Sequence, residues 1–217
     1  MKKELTKRII SSVILIPFAL FFIIKGSFLF NFFIFICFLI TTYEWHMMSK
    51  KKSFKIFGFL FLIISFYSIY KLRHDFPGNY RLLLGITIVC VFTDIGGYIF
   101  GKVFKGPKLT KFSPNKTYAG MIGGYFLSII SISIFLQNPY FLDGVELSRK
   151  LFIFILLIST ISQIGDIIIS YFKRLSKIKD TGKIIPGHGG LLDRVDGMIF
   201  AFPFTYLILS LNINNLF

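Results

Sequence analysis

Asp193 and Asp196 stand three residues apart where an apolar run begins, and Asp166 interrupts the apolar run before it. At helical spacing the first two share one face. A carboxylate inside an apolar segment of membrane-spanning length is costly unless it is paired or ligates a cation. With about 100° of rotation per residue, Asp166, Ser170 and Lys173 form one stripe along a helix. Two readings follow. Asp166 can make an internal ion pair with Lys173, or Asp166, Asp193 and Asp196 can jointly hold a divalent cation. Carboxylates supplemented by phosphate oxygens and water are a common shell for Mg²⁺. For Asp193, capping of the following helix is a structural role that can coexist with ligation.

Between these acids lies a polar segment, 170–196, with Lys173, Arg174, Lys179, Asp180 and Arg194 and the run Pro186-Gly-His-Gly-Gly190. Gly187, Gly189 and Gly190 let backbone N–H groups come close to an anion, and a helix start follows directly. The cations suit phosphate neutralisation, although a positive rim at a membrane face accounts for some of them without it. His188 suits a phosphate hydrogen bond, a proton transfer or a purely structural hydrogen bond. A second polar loop, 102–117, follows Asp94, another acid inside an apolar run. Its Lys102, Ser113, Lys116 and Thr117 suit either a phosphate site or the capping of the next helix.

The elements that must position these loops are greasy. The 217 residues are 54% hydrophobic, include 29 phenylalanines and have a mean hydropathy of +0.72, outside ordinary soluble composition. The chain reads as an all-α polytopic membrane protein. Seven apolar stretches, 9–26, 27–43, 56–70, 82–101, 119–137, 151–171 and 197–213, are expected to cross the bilayer, the third being the shortest. No small-residue cleavage site follows the first, which is therefore expected to be retained as a span. With the N-terminus inside, every lysine and arginine except Lys25, Lys71, Arg73, Arg81, Arg149 and Lys150 falls on the cytoplasmic side. Both polar loops then face the cytoplasm, where they are expected to form the active site.

The charge of +15 comes largely from lysines in short inter-span loops. Anionic headgroups and phosphorylated substrates fit that placement better than nucleic acid. Cys37 and Cys90 both lie in apolar runs, which argues against a disulfide framework or a cysteine metal site. No repeat or linker divides the chain. A single domain over 1–217 is expected, with 1–80 as N-terminal helices and 81–217 as the core carrying the polar loops. Gly97 with Gly101, and Gly120 with Gly124, are small-residue pairs that let helices approach closely.

Read together, Ser170, Phe172-Lys-Arg174, Lys179-Asp180, Gly182, Ile185-Pro186, His188-Gly-Gly-Leu191 and Asp193-Arg-Val-Asp196 resemble, at every defining position, the signature of the CTP:phosphatidate cytidylyltransferases, the CDP-diacylglycerol synthases. Asp94, Gly97, Tyr98, Gly101 and Lys102, then Ser113-Pro-Asn-Lys-Thr117, are similar to two further elements of that family. The resemblance covers roughly residues 90–205. It implies transfer of a cytidylyl group from CTP to phosphatidic acid with Mg²⁺, leaving room for a second cation. Asp166 and Asp193 match the family's metal-binding acids, and Asp180 and Asp196 fall within the same signature. Val91, Ala119 and Gly197 depart from residues frequent in the family. Its members are usually longer, with about eight or nine spans, so the N-terminal half looks trimmed.

In the mechanism this suggests, Lys173, Arg174, Lys179 and Arg194 would clamp the phosphates. Lys102, Ser113, Lys116 and Thr117 would position the lipid phosphate or the nucleotide. A CTP-dependent enzyme acting on another lipid phosphate or isoprenoid alcohol is an alternative reading. A transporter and a binding-only homologue are alternatives from other classes. Abundant Phe, Ile, Lys and Asn suggest a bacterial inner membrane protein, and dimerisation is left open by the sequence.

Overall fold

The computed structural model describes residues 15–50, 52–76, 80–110, 113, 115–138, 147–185, 187 and 189–211. These residues form α1 (Leu15–Lys25), α2 (Ser27–Ser49), α3 (Lys55–His74), α4 (Tyr80–Phe104), α5 (Tyr118–Gln137), α6 (Arg149–Leu175), the single turn α7 (Leu192–Val195) and α8 (Met198–Ser210). Extended structure among them is limited to two isolated bridges, Lys108 with Thr117 and Ile185 with Gly189, each closing a polar loop. The all-α expectation holds.

Helices α2 to α6 are long and apolar enough to cross a bilayer, while α1 and α8 are apolar but shorter. The third element, α3, runs over 20 residues and is longer than its apolar stretch, whereas α8 has only 13. Residues 9–14 of the first expected span and 212–213 of the last lie outside the described residues. Several helices outrun their apolar stretches: α2 continues past 43 to Ser49, and α6 past 171 to Leu175. Their final turns carry Glu44, Trp45 and Lys173, which are buried against protein rather than lipid. Hydropathy finds the lipid-exposed length of a helix, and these turns lie beyond it.

The lipid-facing surface is plain on α2, where Phe28, Phe32, Phe35 and Leu39 line one exposed stripe. Inside, Phe30, Leu62, Leu72, Leu83, Ile86, Ile155, Ile169, Leu192 and Ile199 are sealed in one core. Helix α3 lies against α2 and α8 and touches α4, and α8 also packs on α6, so α8 is the main tie between the N-terminal helices and the rest. Ser65 of α3 reinforces that seam by donating to the Ile199 carbonyl at 2.7 Å. The short α7 touches α2.

Helices α4 and α5 make the most extensive pairing. A Cβ on Gly96 would lie 2.3 Å from the Gly123 carbonyl oxygen, and one on Gly120 would lie 2.6 Å from that of Gly97. Backbone presses on backbone, so only glycine fits. The packing role expected for Gly97, Gly101, Gly120 and Gly124 extends to Gly96 and Gly123. The consequence for the site is rigid: the helix bearing Asp94 is clamped to the helix start bearing Lys116 and Thr117. Gly197 is likewise required, since a Cβ there would meet the Ser162 hydroxyl at 2.4 Å and its carbonyl oxygen at 2.8 Å.

Candidate active site

Helix α6 delivers Asp166, Ser170 and Lys173 along one face, as the helical spacing predicts. Ser170 donates to Asp166 Oδ1 at 3.3 Å. The partner of Asp166 is not Lys173, however. Asp166 Oδ2 forms an ion pair with Lys116, brought in from the loop before α5. Lys173 turns the other way, 2.9 Å from Asp193 Oδ1 and 3.8 Å from Asp196 Oδ2. Intramembrane carboxylates are thus satisfied by lysines from neighbouring elements, which lowers the cost of holding them away from bulk water.

Asp193 is the second residue of α7, whose N-cap position is taken by Leu191 without a side-chain cap, so the expected N-cap role is replaced by another. Its Oδ2 accepts the N–H groups of Thr181 at 2.8 Å and Gly190 at 2.9 Å. One carboxylate therefore ties the two ends of the 181–190 loop together while its other oxygen fixes Lys173. Within that loop the Ile185 N–H donates to the Gly189 carbonyl at 2.9 Å, and Gly187 and Gly189 have φ of 77° and 90°. That left-handed backbone is where glycine is favoured. The Gly190 N–H is committed to Asp193. His188 and Pro186 lie outside the described residues.

Asp196 is 6% exposed, and its Oδ1 accepts the N–H of Gly197 at 3.0 Å. Burial holds its carboxyl well above the usual carboxylate range, the Asp166 charge adds to this, and Lys173 opposes it. An added cation would act in the same sense as Lys173. Asp94 on α4 keeps an accessible surface while its charge interacts with those of Asp166, Lys116 and Arg194. Four elements thus bring charge together in one cluster: α4, the loop before α5, α6, and the α7–α8 junction.

The remaining candidates lie in the adjoining loops and helix ends. Thr117 is the N-cap of α5 and accepts the Gly120 N–H at 3.1 Å. The Ser113 N–H donates to the Thr110 hydroxyl at 3.2 Å, folding the turn that carries Lys116. Lys102 is exposed and lies over the Tyr98 ring at 5.6 Å. Arg174 is exposed and donates to the Ile178 carbonyl at 3.3 Å, and Lys179, Asp180 and Arg194 are exposed as well.

The donor chemistry suits a hard divalent cation, because Asp94, Asp166 and Asp196 offer only carboxylate oxygens. Among the described residues no three side chains of His, Cys, Asp or Glu converge at ligating distance. Lysine ammoniums stand against Asp166, Asp193 and Asp196 instead. The arrangement concentrates both signs of charge at one end of an apolar bundle, which is what binding a phosphate ester together with a cation requires.

Glu44 of α2 is absent from the sequence-derived candidates, yet it is 1% exposed and grips this loop. It accepts the N–H of Leu191 at 2.9 Å, the N–H of Leu192 at 2.7 Å and the Thr181 hydroxyl at 3.2 Å. The signal was available, since an acid at the end of an apolar helix calls for partners, as Asp166 does. Its partners lie 137 to 148 residues away in sequence, so spacing could not identify them.

The sequence profile of the Cytidylyltransferase family matches residues 6–74 and 53–212. A phosphatidate cytidylyltransferase of Rickettsia typhi is 34% identical over 207 residues, covering 93% of this chain and 90% of the relative. One of Brucella suis is 34% identical over 172 residues, and one of Staphylococcus aureus is 37% identical over 161 residues. These matches cover 79% and 72% of this chain but only 61% and 58% of the relatives. With the helical membrane architecture, these similarities show that the chain belongs to the Cytidylyltransferase family.

Proposed function

We infer that the chain is a phosphatidate cytidylyltransferase, a nucleotidyltransferase that joins the cytidylyl group of CTP to phosphatidic acid and releases pyrophosphate. The observation that carries the reading is the charged cluster itself, where Lys116 pairs with Asp166 and Lys173 with Asp193 and Asp196, with the charge of Asp94 acting on the same group, at the edge of a buried apolar bundle. A water-soluble triphosphate and a lipid phosphate can meet only where polar and apolar environments adjoin. A phosphatidate oxygen attacks the α-phosphorus of CTP, and the bond from that phosphorus to the bridging oxygen of pyrophosphate breaks. The attacking oxygen is already ionised near neutral pH, so no general base is required.

Two polyanions must approach, and charge neutralisation is the first demand on the protein. Lys116 and Lys173 are held in place by Asp166 and Asp193, and Lys102, Arg174, Lys179 and Arg194 would add positive charge for the phosphates. Ser113, Thr117, Gly187 and Gly189 belong to the loop walls that would orient the phosphates. Asp166 and Asp196, with Asp94 nearby, would hold Mg²⁺. Asp193 would serve the same centre by orienting Lys173. The cation supplies charge stabilisation for the phosphate oxygens and the leaving pyrophosphate. The protein would act in the inner membrane of a bacterium as one domain, with both polar loops in the cytoplasm.

The test uses purified protein in detergent micelles containing phosphatidic acid, with CTP radiolabelled in the α-phosphate. Label should enter the chloroform-extractable lipid only when phosphatidate and Mg²⁺ are both present. EDTA should abolish incorporation and excess Mg²⁺ restore it, while γ-labelled CTP should give no lipid label. Absence of lipid label from folded protein, or transfer of the γ-label, would overturn the reading.

A further inference from the structure

We propose that Glu44 is a positioning residue for cytidylyl transfer, acting from α2 through the 181–192 loop on Asp193 and Lys173. The proposal rests on the function inferred above. Two carboxylates grip the same loop from opposite sides. Glu44 takes the Thr181 hydroxyl and the Leu191 and Leu192 N–H groups, and Asp193 takes the Thr181 and Gly190 N–H groups. Thr181 is held by both, through its side chain and its backbone respectively. A shift of Glu44 therefore moves the donors that orient Asp193, and through Asp193 the ammonium of Lys173 at 2.9 Å.

Two glycines of the signature record the closeness of this grip. A Cβ on Gly182 would lie 2.6 Å from Glu44 Oε1, and one on Gly190 would lie 2.6 Å from Glu44 Oε2 and 2.3 Å from the Thr181 hydroxyl. Neither needs a left-handed backbone, since neither is among the positive-φ glycines. Their small size is explained by the presence of Glu44. A carboxylate is also the group the site calls for. Its Oε2 faces two donors and its Oε1 a third, so an amide in its place sets an NH₂ against at least one backbone N–H.

The neighbouring residues of α2 fix Glu44 against rotation. Trp45 is 2% exposed, donates from its indole to the Lys55 carbonyl at 3.0 Å and packs edge-on against Phe172, beside Lys173. Thr41, one turn earlier, is fully buried. A helix placed by its own packing thus offers a rigid point on which a loop dense in glycine can be held. That is the support expected of a residue standing behind groups that meet a substrate.

The experiment compares wild-type protein with Glu44→Gln by phosphatidate-dependent transfer from α-labelled CTP and by hydrogen exchange of the purified proteins in the same micelles. In Glu44→Gln, amides in 180–195 should exchange at least about tenfold faster while those of α3 to α6 stay unchanged. Turnover should fall about 10- to 100-fold, the range for lost support behind a functional group. A second pair tests the contact by size alone. Gly182→Ala should impair turnover in the wild-type background and have little further effect beside Glu44→Ala, where the space is open. Normal turnover in Glu44→Gln would overturn the proposal, as would a uniform rise in exchange across all helices, which would make Glu44 merely structural. Equal damage from Gly182→Ala in both backgrounds would also count against it. A wild type that transfers nothing would sink the proposed function, and the local exchange change alone would then decide whether Glu44 holds the loop.

Discussion

Replacing Asp193 with asparagine removes one charge while keeping the side chain's shape, and the structure sets the cost. The carboxylate makes three contacts: the Lys173 ammonium at 2.9 Å on Oδ1, and the Thr181 and Gly190 N–H groups at 2.8 and 2.9 Å on Oδ2. The two ionic side chains are only 10% and 6% exposed, so solvent screens their attraction little. An asparagine oxygen that keeps both amides turns its NH₂ onto the ammonium and breaks a buried pair, which costs about 3–5 kcal/mol. Reversing the amide leaves two buried N–H groups without an acceptor, at about 1–3 kcal/mol each. Either cost is smaller than the upper range of ordinary folding stability, about 5–15 kcal/mol. Asp193→Asn should therefore insert and fold, with a lower unfolding midpoint.

Activity should suffer more than stability. Lys173 loses its nearer anchor and retains Asp196 at 3.8 Å. One preorganised electrostatic contact is worth about 10² to 10³ in rate, and Asp193→Asn should lose that much. The assay is incorporation of α-labelled CTP into lipid, normalised to protein shown folded by a cooperative thermal transition in the same detergent. Near-normal turnover by folded Asp193→Asn would refute both the placement of Lys173 and the importance of its orientation.

Two further substitutions separate architecture from chemistry. Gly96→Ala should destabilise the protein by about 1–3 kcal/mol, because its Cβ would strike the Gly123 carbonyl at 2.3 Å and force α4 from α5. Gly85→Ala on the same helix meets nothing nearer than Phe135 at 4.0 Å and should be neutral or slightly stabilising. Thermal unfolding of the pair checks this, and equal midpoints would remove the clamp. Thr117→Val should cost about 1 kcal/mol through loss of the cap on α5, and Thr117→Ser should restore it. An unchanged midpoint in Thr117→Val would show that the hydroxyl does not cap.

The sequence by itself determined the class of the fold and the identity of most charged groups, for reasons that are local. A run of apolar residues long enough for a bilayer must be a helix whatever surrounds it, because its backbone has no other partners in lipid. Acids inside such runs must be satisfied, which singled out Asp94 and Asp166 before any contact was known, while their helical spacing at the start of the last run singled out Asp193 and Asp196. Pairing is a different matter. Asp166 and Lys173 share a helix face, yet Asp166 pairs with Lys116 and Lys173 with Asp193. Helical periodicity says which way a side chain leaves its own helix and nothing about what a neighbouring element brings to meet it.

Tertiary structure decided the rest for the same reason. Glu44 and its donors are separated by more than half the chain, and only the docking of α7 on α2 brings them together. The ends of α2 and α6 were misjudged from hydropathy because their last turns are buried in protein rather than lipid. Gly182 and Gly190 read in sequence as signature glycines, with Gly190 expected to face a phosphate, whereas their surroundings show them making room for a carboxylate. Residue type and spacing fixed which groups had to be satisfied; the packing of helices distant in sequence fixed which partners satisfied them.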